Sequence, residues 1–324
     1  MRAAVCKEYG PPDVIEVVDL PTPEVGPGQV RVRVRCASVN FPDVLIVANE
    51  YQIKVPTPFV PGSEWCGEVV EVAPDVTAVS AGDLVMGTGI VGAFAEEVVS
   101  AATSVLPVPA GLDPVAAAAF GVGHRTAYHV LRSVARVQPG DEVVVLGAGG
   151  GVGTATVQLA ALLGARVTAV ADSAAKLAVA RERGAEVLVD TAAGDLRQSL
   201  REALPGGADV VVDPVGGDLS EAALRSMRYG GRFVTVGYAS GTIPRIPLNL
   251  VLLKGVALLG FQFPSFAANQ PDEHRRNEQE LLELLAAGRA TPHIGATFSL
   301  TEAAAALRYV ADGRAIGKVL LEIA

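Results

Sequence analysis

The chain has 324 residues, half of them hydrophobic and 19% charged, with a formal net charge of −9. That length and polarity describe an ordered protein of about two domains and exclude an intrinsically disordered chain. The acidic balance opposes nonspecific binding to nucleic acid or anionic lipid, and no apolar run reaches the roughly 18 residues of a membrane span.

The N-terminal stretch MRAAVCKEYG lacks the apolar core of a signal peptide. Cys6, Cys36 and Cys66 are widely spaced and form no C-x-x-C pair, which points to free thiols in a reducing cytoplasm. Arg31-Val-Arg-Val-Arg35 alternates with period two, and Gly67–Val72 and Glu96–Val99 are short β-branched runs. Turns at Gly10-Pro11-Pro12, Gly26-Pro27-Gly28 and Ala81-Gly82-Asp83 separate them, so the first hundred residues predict β structure. Helical signals begin at Asp113-Pro114, an N-cap followed by proline at the first helical position. From there, strand-like runs at 143–146, 167–170, 187–189, 210–212 and 233–236 alternate with helical stretches at 152–163, 174–183, 196–204 and 219–228. Short turns between such units predict a doubly wound parallel sheet, with Val256–Phe261 as its sixth strand. A polar segment (Gln270–Gln279), two helices (Glu280–Ala287 and Thr301–Val310) and a strand (Lys318–Ile323) follow and do not extend that series. They are assigned back to the first domain. Residues 1–121 and 262–324 are therefore expected to form one domain, and 122–261 the other.

The stretch Asp141–Leu163 carries the chemistry: a buried strand, a glycine-packed turn and a helix start. Backbone N–H groups and the positive end of a helix dipole there point at one place, and missing side chains let a pyrophosphate approach. The register Ala148-Gly149-Gly150-Gly151-Val152-Gly153 has alanine in its first place, so the strict G-x-G-x-x-G pattern does not fit. A bare ribose 2′-hydroxyl usually meets an acidic side chain about 20 residues past the glycines. Asp172 lies near that place. Ser173 and Lys176 beside it can instead hold a 2′-phosphate, or Asp172 or Ser173 merely caps the next helix. The reading favours NADPH, with NADH as the alternative.

With Ser38-Val-Asn-Phe-Pro-Asp43, Pro61-Gly-Ser-Glu-Trp-Cys-Gly67, Gly149–Gly153, Ala223–Met227, Gly241–Lys254 and Gly317–Leu321, the chain resembles the medium-chain dehydrogenase/reductase superfamily, in its zinc-free quinone oxidoreductase branch. The resemblance implies an α/β protein with a GroES-like β-barrel catalytic domain beside a Rossmann doubly wound parallel-sheet domain, usually as a homodimer. It also implies that the positions of a catalytic zinc's ligands are Asn40, Ser63 and about Val122, none of which supplies a thiolate or imidazole. His124, His129, His274 and His293 are scattered and read as caps or surface groups, so no metal is expected.

Without a Lewis acid, the easier hydride chemistry is reduction of an already electrophilic acceptor, a quinone or an α,β-unsaturated carbonyl. By resemblance, Asn40 and Tyr51 line the catalytic site, with Tyr51 matching the proton donor of related enoyl-thioester reductases. Thr126, Gly149, Gly150, Gly151, Val152, Gly237, Tyr238, Phe261 and Lys318 join Asp172, Ser173 and Lys176 as cofactor contacts. Val189-Asp190-Thr191 replaces a tyrosine found near this position in several relatives, which adds negative charge near the expected phosphate. Asp213 and Glu64 read as acceptors for nearby N–H groups. Plain local readings stand beside these: Asn40 satisfying a turn, Tyr51 as a half-buried aromatic, Lys318 as a surface charge. Two other functions remain open, an enoyl- or acryloyl-CoA thioester reductase and a non-catalytic nucleotide-binding protein of crystallin or RNA-associated type.

Overall fold

The computed structural model describes residues 1–323, which form two compact units: 1–122 with 292–323, and Gly123–Thr291. In the first unit, the long strand Gln29–Val39 is the organiser. Its alternation resolves cleanly, with Val30, Val32 and Val34 buried and Arg31, Arg33 and Arg35 on the other face. It pairs antiparallel with Glu64–Val72, Glu97–Ala101 and Lys318–Glu322. The sheet continues through Leu84–Thr88 to Val105–Pro107 on one side and to Ile294–Ser299 on the other. One core of Val, Phe94, Trp65 and the helix Ala303–Ala311 fills it. Strand Lys318–Glu322 therefore returns to the first unit, lying beside Val39 and Ser38.

The second unit is a six-stranded parallel sheet. Its spatial order is Val187–Asp190, Arg166–Ala171, Glu142–Leu146, Ala208–Asp213, Met227–Thr235 and Ala257–Gly260. The order reverses at Glu142–Leu146, the strand that feeds the glycine turn, as in dinucleotide-binding sheets. Near-continuous burial of Val143–Leu146 and Ala208–Asp213 follows from helices covering both faces.

The expected domain boundary needs correction. Residues 262–291 belong with the second unit, so the return to the first falls after Thr291. The polar segment Gln270–Gln279 lies, from Pro271 onward, in the helix Pro271–Ala286. Its buried positions are Asn277, Leu281 and Leu285, and a polar residue at the first of these hides the apolar period. Asn277 Nδ2 donates to Ser133 Oγ at 2.8 Å, while Tyr128 Oη donates to Glu280 at 2.7 Å. Polar side chains thus tie this helix to Gly121–His129 and the π-turn Val130–Val134 that continues it.

The core of the second unit yields a first prediction. Leu224 is fully buried between Leu200, Leu204 and Phe233 in one cluster. Leu224→Ala should lower the stability of this unit by about 2–5 kcal/mol, the range for cavity-forming leucine truncations. Hydrogen exchange at Ala208–Asp213 measures it, and protection equal to the native chain's would contradict it.

Candidate active and nucleotide sites

In the second unit, the turn between Glu142–Leu146 and the helix Gly151–Leu162 is built by close backbone approach. Gly147 has φ +59, a conformation that favours glycine, and it takes the first-glycine role assigned above to Ala148. A Cβ on Gly153 would meet the Gly147 carbonyl oxygen at 2.0 Å, so only glycine lets helix and strand approach this closely. Gly149 is required for another reason: a side chain there would strike the Lys176 stem at 2.4 Å.

Gly150 differs from both. Its φ of −82 suits any residue, and an added Cβ would meet only the Gly147 oxygen, at 3.5 Å. Neither backbone strain nor packing excludes a side chain at this N-cap position. The space it leaves opens onto a 12-residue helix whose first N–H groups receive no side-chain cap among the described residues. Gly151 and Val152 thus offer main-chain donors at a positive helix end beside Gly150, whose own N–H donates to the Gly147 carbonyl at 3.0 Å.

Lys176 passes over Gly149 and its Nζ lies 2.9 Å from Asp172, the residue that follows strand Arg166–Ala171. Ser173 caps the helix Ala174–Glu182, its Oγ accepting from Lys176 N at 3.4 Å. Asp190 accepts from Ala192 N and Asp213 accepts from Val215 N, Gly216 N and Ser220 Oγ; both act as turn acceptors. Thr126 lies half-buried on Gly121–His129. Gly237 follows Met227–Thr235, and Tyr238 is partly exposed. Phe261 is buried in an aromatic cluster with His129, Phe263 and Phe266.

In the first unit, Asn40 and Tyr51 flank the short helix Phe41–Val47. Asn40 sits at its N-cap, and its N–H donates to Asp43 Oδ2 at 2.7 Å. The Asn40 carboxamide is held on every side: Nδ2 donates to Glu64 Oε2 at 3.1 Å, to the Ser38 carbonyl at 3.3 Å and to Ser63 Oγ at 3.5 Å, and Oδ1 accepts from Lys318 Nζ. Glu64 Oε1 accepts from Val122 N at 2.9 Å. Lys318, expected at the cofactor or on the surface, is not a surface charge. It is 3% exposed and bonded to Glu64, itself 1% exposed, at 2.8 Å. Burial inside the sheet makes a partner obligatory for this ammonium.

The positions at which zinc relatives hold their metal therefore converge here on a carboxamide, a hydroxyl and a backbone N–H, with a lysine ammonium already against the Glu64 carboxylate. This donor set does not fit a zinc ion. Sequence reasoning missed the Lys318–Glu64 pair and Asp43. A lone lysine leading an otherwise apolar strand, Lys318-Val-Leu-Leu321, was the available signal.

Tyr51 is half-buried against the core, and burial, with Asp43 nearby, pushes its phenol above the ordinary value. The three thiols are free and buried; burial pushes Cys36 up to about 11 and Cys66 up to about 12, which keeps them protonated and unreactive.

Burial also pushes the Asp43 carboxyl up to about 7, and Glu64 adds to this, while the Asn40 N–H, the Ser63 hydroxyl and Lys318 pull it down. An unfolded aspartate titrates near ~4, so between about pH 4 and 7 the folded chain holds a proton that the unfolded chain releases. The stability from this group is complete below that window and is lost as pH rises through it. Asp43→Asn retains the acceptor for Asn40 and cannot ionise. Its melting temperature should gain on the native chain's as pH rises from 4 to 7 and then level off; a constant difference across that range would assign the titration elsewhere.

Two family descriptions match the chain: the alcohol dehydrogenase GroES-like domain over residues 26–110 and the zinc-binding dehydrogenase over residues 151–287. Quinone oxidoreductase-like protein 2 of Bos taurus is 38% identical over 324 residues, covering 99% of this chain and 92% of that protein. Among solved structures, the quinone oxidoreductase of Thermus thermophilus aligns with a TM-score of 0.87 at 33% identity, over 100% of both chains. The Escherichia coli quinone oxidoreductase complexed with NADPH aligns with a TM-score of 0.92 at 25% identity, again over 100% of both. With that coverage, and with one GroES-like and one Rossmann unit, the chain belongs to the quinone oxidoreductase-like oxidoreductases of the medium-chain dehydrogenase/reductase superfamily.

Proposed function

We propose that this protein transfers hydride from NADPH to a quinone or an α,β-unsaturated carbonyl, without a catalytic metal. The observation that carries the reading is Gly150 at the mouth of the turn, where a side chain is absent although neither packing nor backbone conformation forbids one. A pyrophosphate fits such a place, because unsatisfied N–H groups and the helix dipole favour negative charge. Lys176, anchored over Gly149, is the cation nearest to serve a 2′-phosphate, and Asp172 competes with that phosphate for its ammonium. NADPH is favoured on this ground and by the NADPH complexes of related quinone oxidoreductases; NADH is the weaker alternative.

When bound, the nicotinamide supplies the hydride, and the protein's share of the reaction is a proton and a shaped site. Tyr51 is the proposed proton donor to the reduced acceptor, with a phenol that burial keeps protonated at neutral pH. Asn40 is proposed as a positioning residue, since the protein uses all of its carboxamide donors and its acceptor. The Lys318–Glu64 pair supports the metal-free reading by placing a fixed positive charge where relatives hold a metal cation. A homodimer is proposed from the edge strand Ala257–Gly260 and its exposed neighbours Tyr229, Leu248, Leu252 and Leu253, an apolar face that a second copy would cover. A cytoplasmic setting accords with the three free thiols, and no helix among the described residues is long and apolar enough to cross a membrane.

Stopped-flow or steady-state oxidation of NADPH with a panel of quinones and enones tests the reaction directly. Turnover is expected with at least one acceptor class, and Tyr51→Phe should lower kcat at least tenfold with NADPH affinity unchanged; equal kcat would make Tyr51 a packing residue. Lys176→Ala should weaken NADPH by about 1.5–3 kcal/mol, the worth of a charge-assisted contact, and leave NADH nearly unaffected. Equal loss for both nucleotides, measured by calorimetry, would remove the 2′-phosphate role.

A further inference from the structure

The four histidines, read from sequence as caps or surface groups, are placed otherwise. His124 and His129 are buried, and His129 meets His274 and Glu278 so closely that one ligand atom from each lies within 4.8 Å of the others. His274 and Glu278 share one face of the helix Pro271–Ala286, at i and i+4. His129 is the last residue of Gly121–His129, at the junction with the π-turn Val130–Val134, the kind of irregularity that often marks functional positions.

The tautomer of His129 can be assigned. Its Nδ1 lies 2.8 Å from the Arg125 carbonyl, which can only accept, so Nδ1 carries the hydrogen. The neutral ring then presents a bare lone pair at Nε2, 3.5 Å from Glu278 Oε1. His274 Nε2 lies 3.8 Å from the same oxygen, and neither Nε2 has a hydrogen-bond partner. Arg125 Nε donates to Glu278 Oε1 at 3.0 Å but reaches neither imidazole, so the unpartnered atoms are the two Nε2, both beside one carboxylate oxygen.

The geometry points to a divalent metal site of zinc type formed by His129, His274 and Glu278, separate from the Asn40–Lys318 cluster. Bonds of ~2.0–2.2 Å to a tetrahedral ion place ligand atoms roughly 3.3–3.5 Å apart, close to the spacings found here. Two imidazoles and a carboxylate suit zinc, cobalt or nickel in preference to magnesium or calcium. The surrounding groups match what orients metal ligands. The Arg125 carbonyl fixes the His129 ring, and Arg125 Nε holds the Glu278 carboxylate at 2.8 Å. Phe261, Phe263 and Phe266 wall the His129 ring at centroid distances of 6.4, 5.3 and 5.1 Å. The Arg125 guanidinium, bonded to both Glu278 oxygens, reduces affinity for a dication. Three protein ligands leave a fourth position for water, and the ion would clasp Pro271–Ala286 to Gly121–His129.

The test is titration of chelator-stripped full-length protein with ZnCl2 and, separately, CoCl2. One equivalent of zinc per chain is expected, with a raised melting temperature and, for cobalt, the intense visible absorption of a four-coordinate ion. His274→Ala and Glu278→Gln, both at partly exposed side chains, should each weaken zinc at least tenfold and abolish the cobalt band. His293→Gln, in the other unit, should leave both unchanged. Binding well below one equivalent, or undiminished affinity in both His274→Ala and Glu278→Gln, would overturn the proposal. The readout is independent of NADPH oxidation, so it stands or falls apart from the reaction proposed above.

Discussion

The approach of one helix to one strand governs the second unit. Gly153 lies so near the Gly147 carbonyl that any Cβ would overlap it, and Gly147 needs a left-handed backbone to turn the chain back. These two requirements fix where the helix Gly151–Leu162 begins and aim its free N–H groups. They also position Gly149 beneath Lys176 and leave Gly150 open. The sheet order, reversing at Glu142–Leu146, places this turn at the carboxyl end of the central strands, where such sheets take their ligands. Glycine at 147, 149 and 153 is explained by the protein alone. Glycine at 150 is not, and a ligand is the physical reason left for it.

The first unit depends on charge. Burying Lys318 and Glu64 costs several kcal/mol per ion, and removing either partner would leave the other charge uncompensated in the sheet interior. Their mutual contact, the Asn40 carboxamide and the Val122 N–H together satisfy both groups. Burial, with the Glu64 charge beside it, makes the neighbouring Asp43 hold a proton toward neutral pH against the pull of Lys318. Such a cluster favours a fixed arrangement around Asn40 over any exchangeable cation. It leaves Tyr51, at the other end of the short helix, as the acid with a role to fill.

Periodicity made much of this legible. Val30, Val32 and Val34 against three arginines gave the organising strand, and five βα units in succession gave the parallel sheet. The glycine-rich turn was visible, with Gly153 as its last glycine, but a sequence pattern does not tell that the positive φ falls on Gly147, one residue before the pattern begins. The helix Pro271–Ala286 was only half seen because Asn277 occupies a core position, and polar ties to Ser133 replace apolar contact. That same omission sent residues 262–291 to the wrong unit. The burial of Lys318 was not legible because a lone lysine at a strand start looks like a surface charge until its partner, distant in sequence, is known. The His129–His274–Glu278 group was invisible for the same reason: two of its members share a helix, but the third arrives through the fold.

The measurement that bears most directly on the account is calorimetric titration of NADPH into the native chain and into Gly150→Ala. An alanine there is tolerated by the backbone and meets only the Gly147 oxygen at ordinary contact distance, so the melting temperature should change little. Native protein should bind one NADPH per chain, and the variant should lose at least tenfold in affinity, about 1.4 kcal/mol, because the methyl group occupies the ligand's place. Absence of binding to the native chain, or equal affinity in the variant, would contradict the assignment of this turn as the coenzyme's seat.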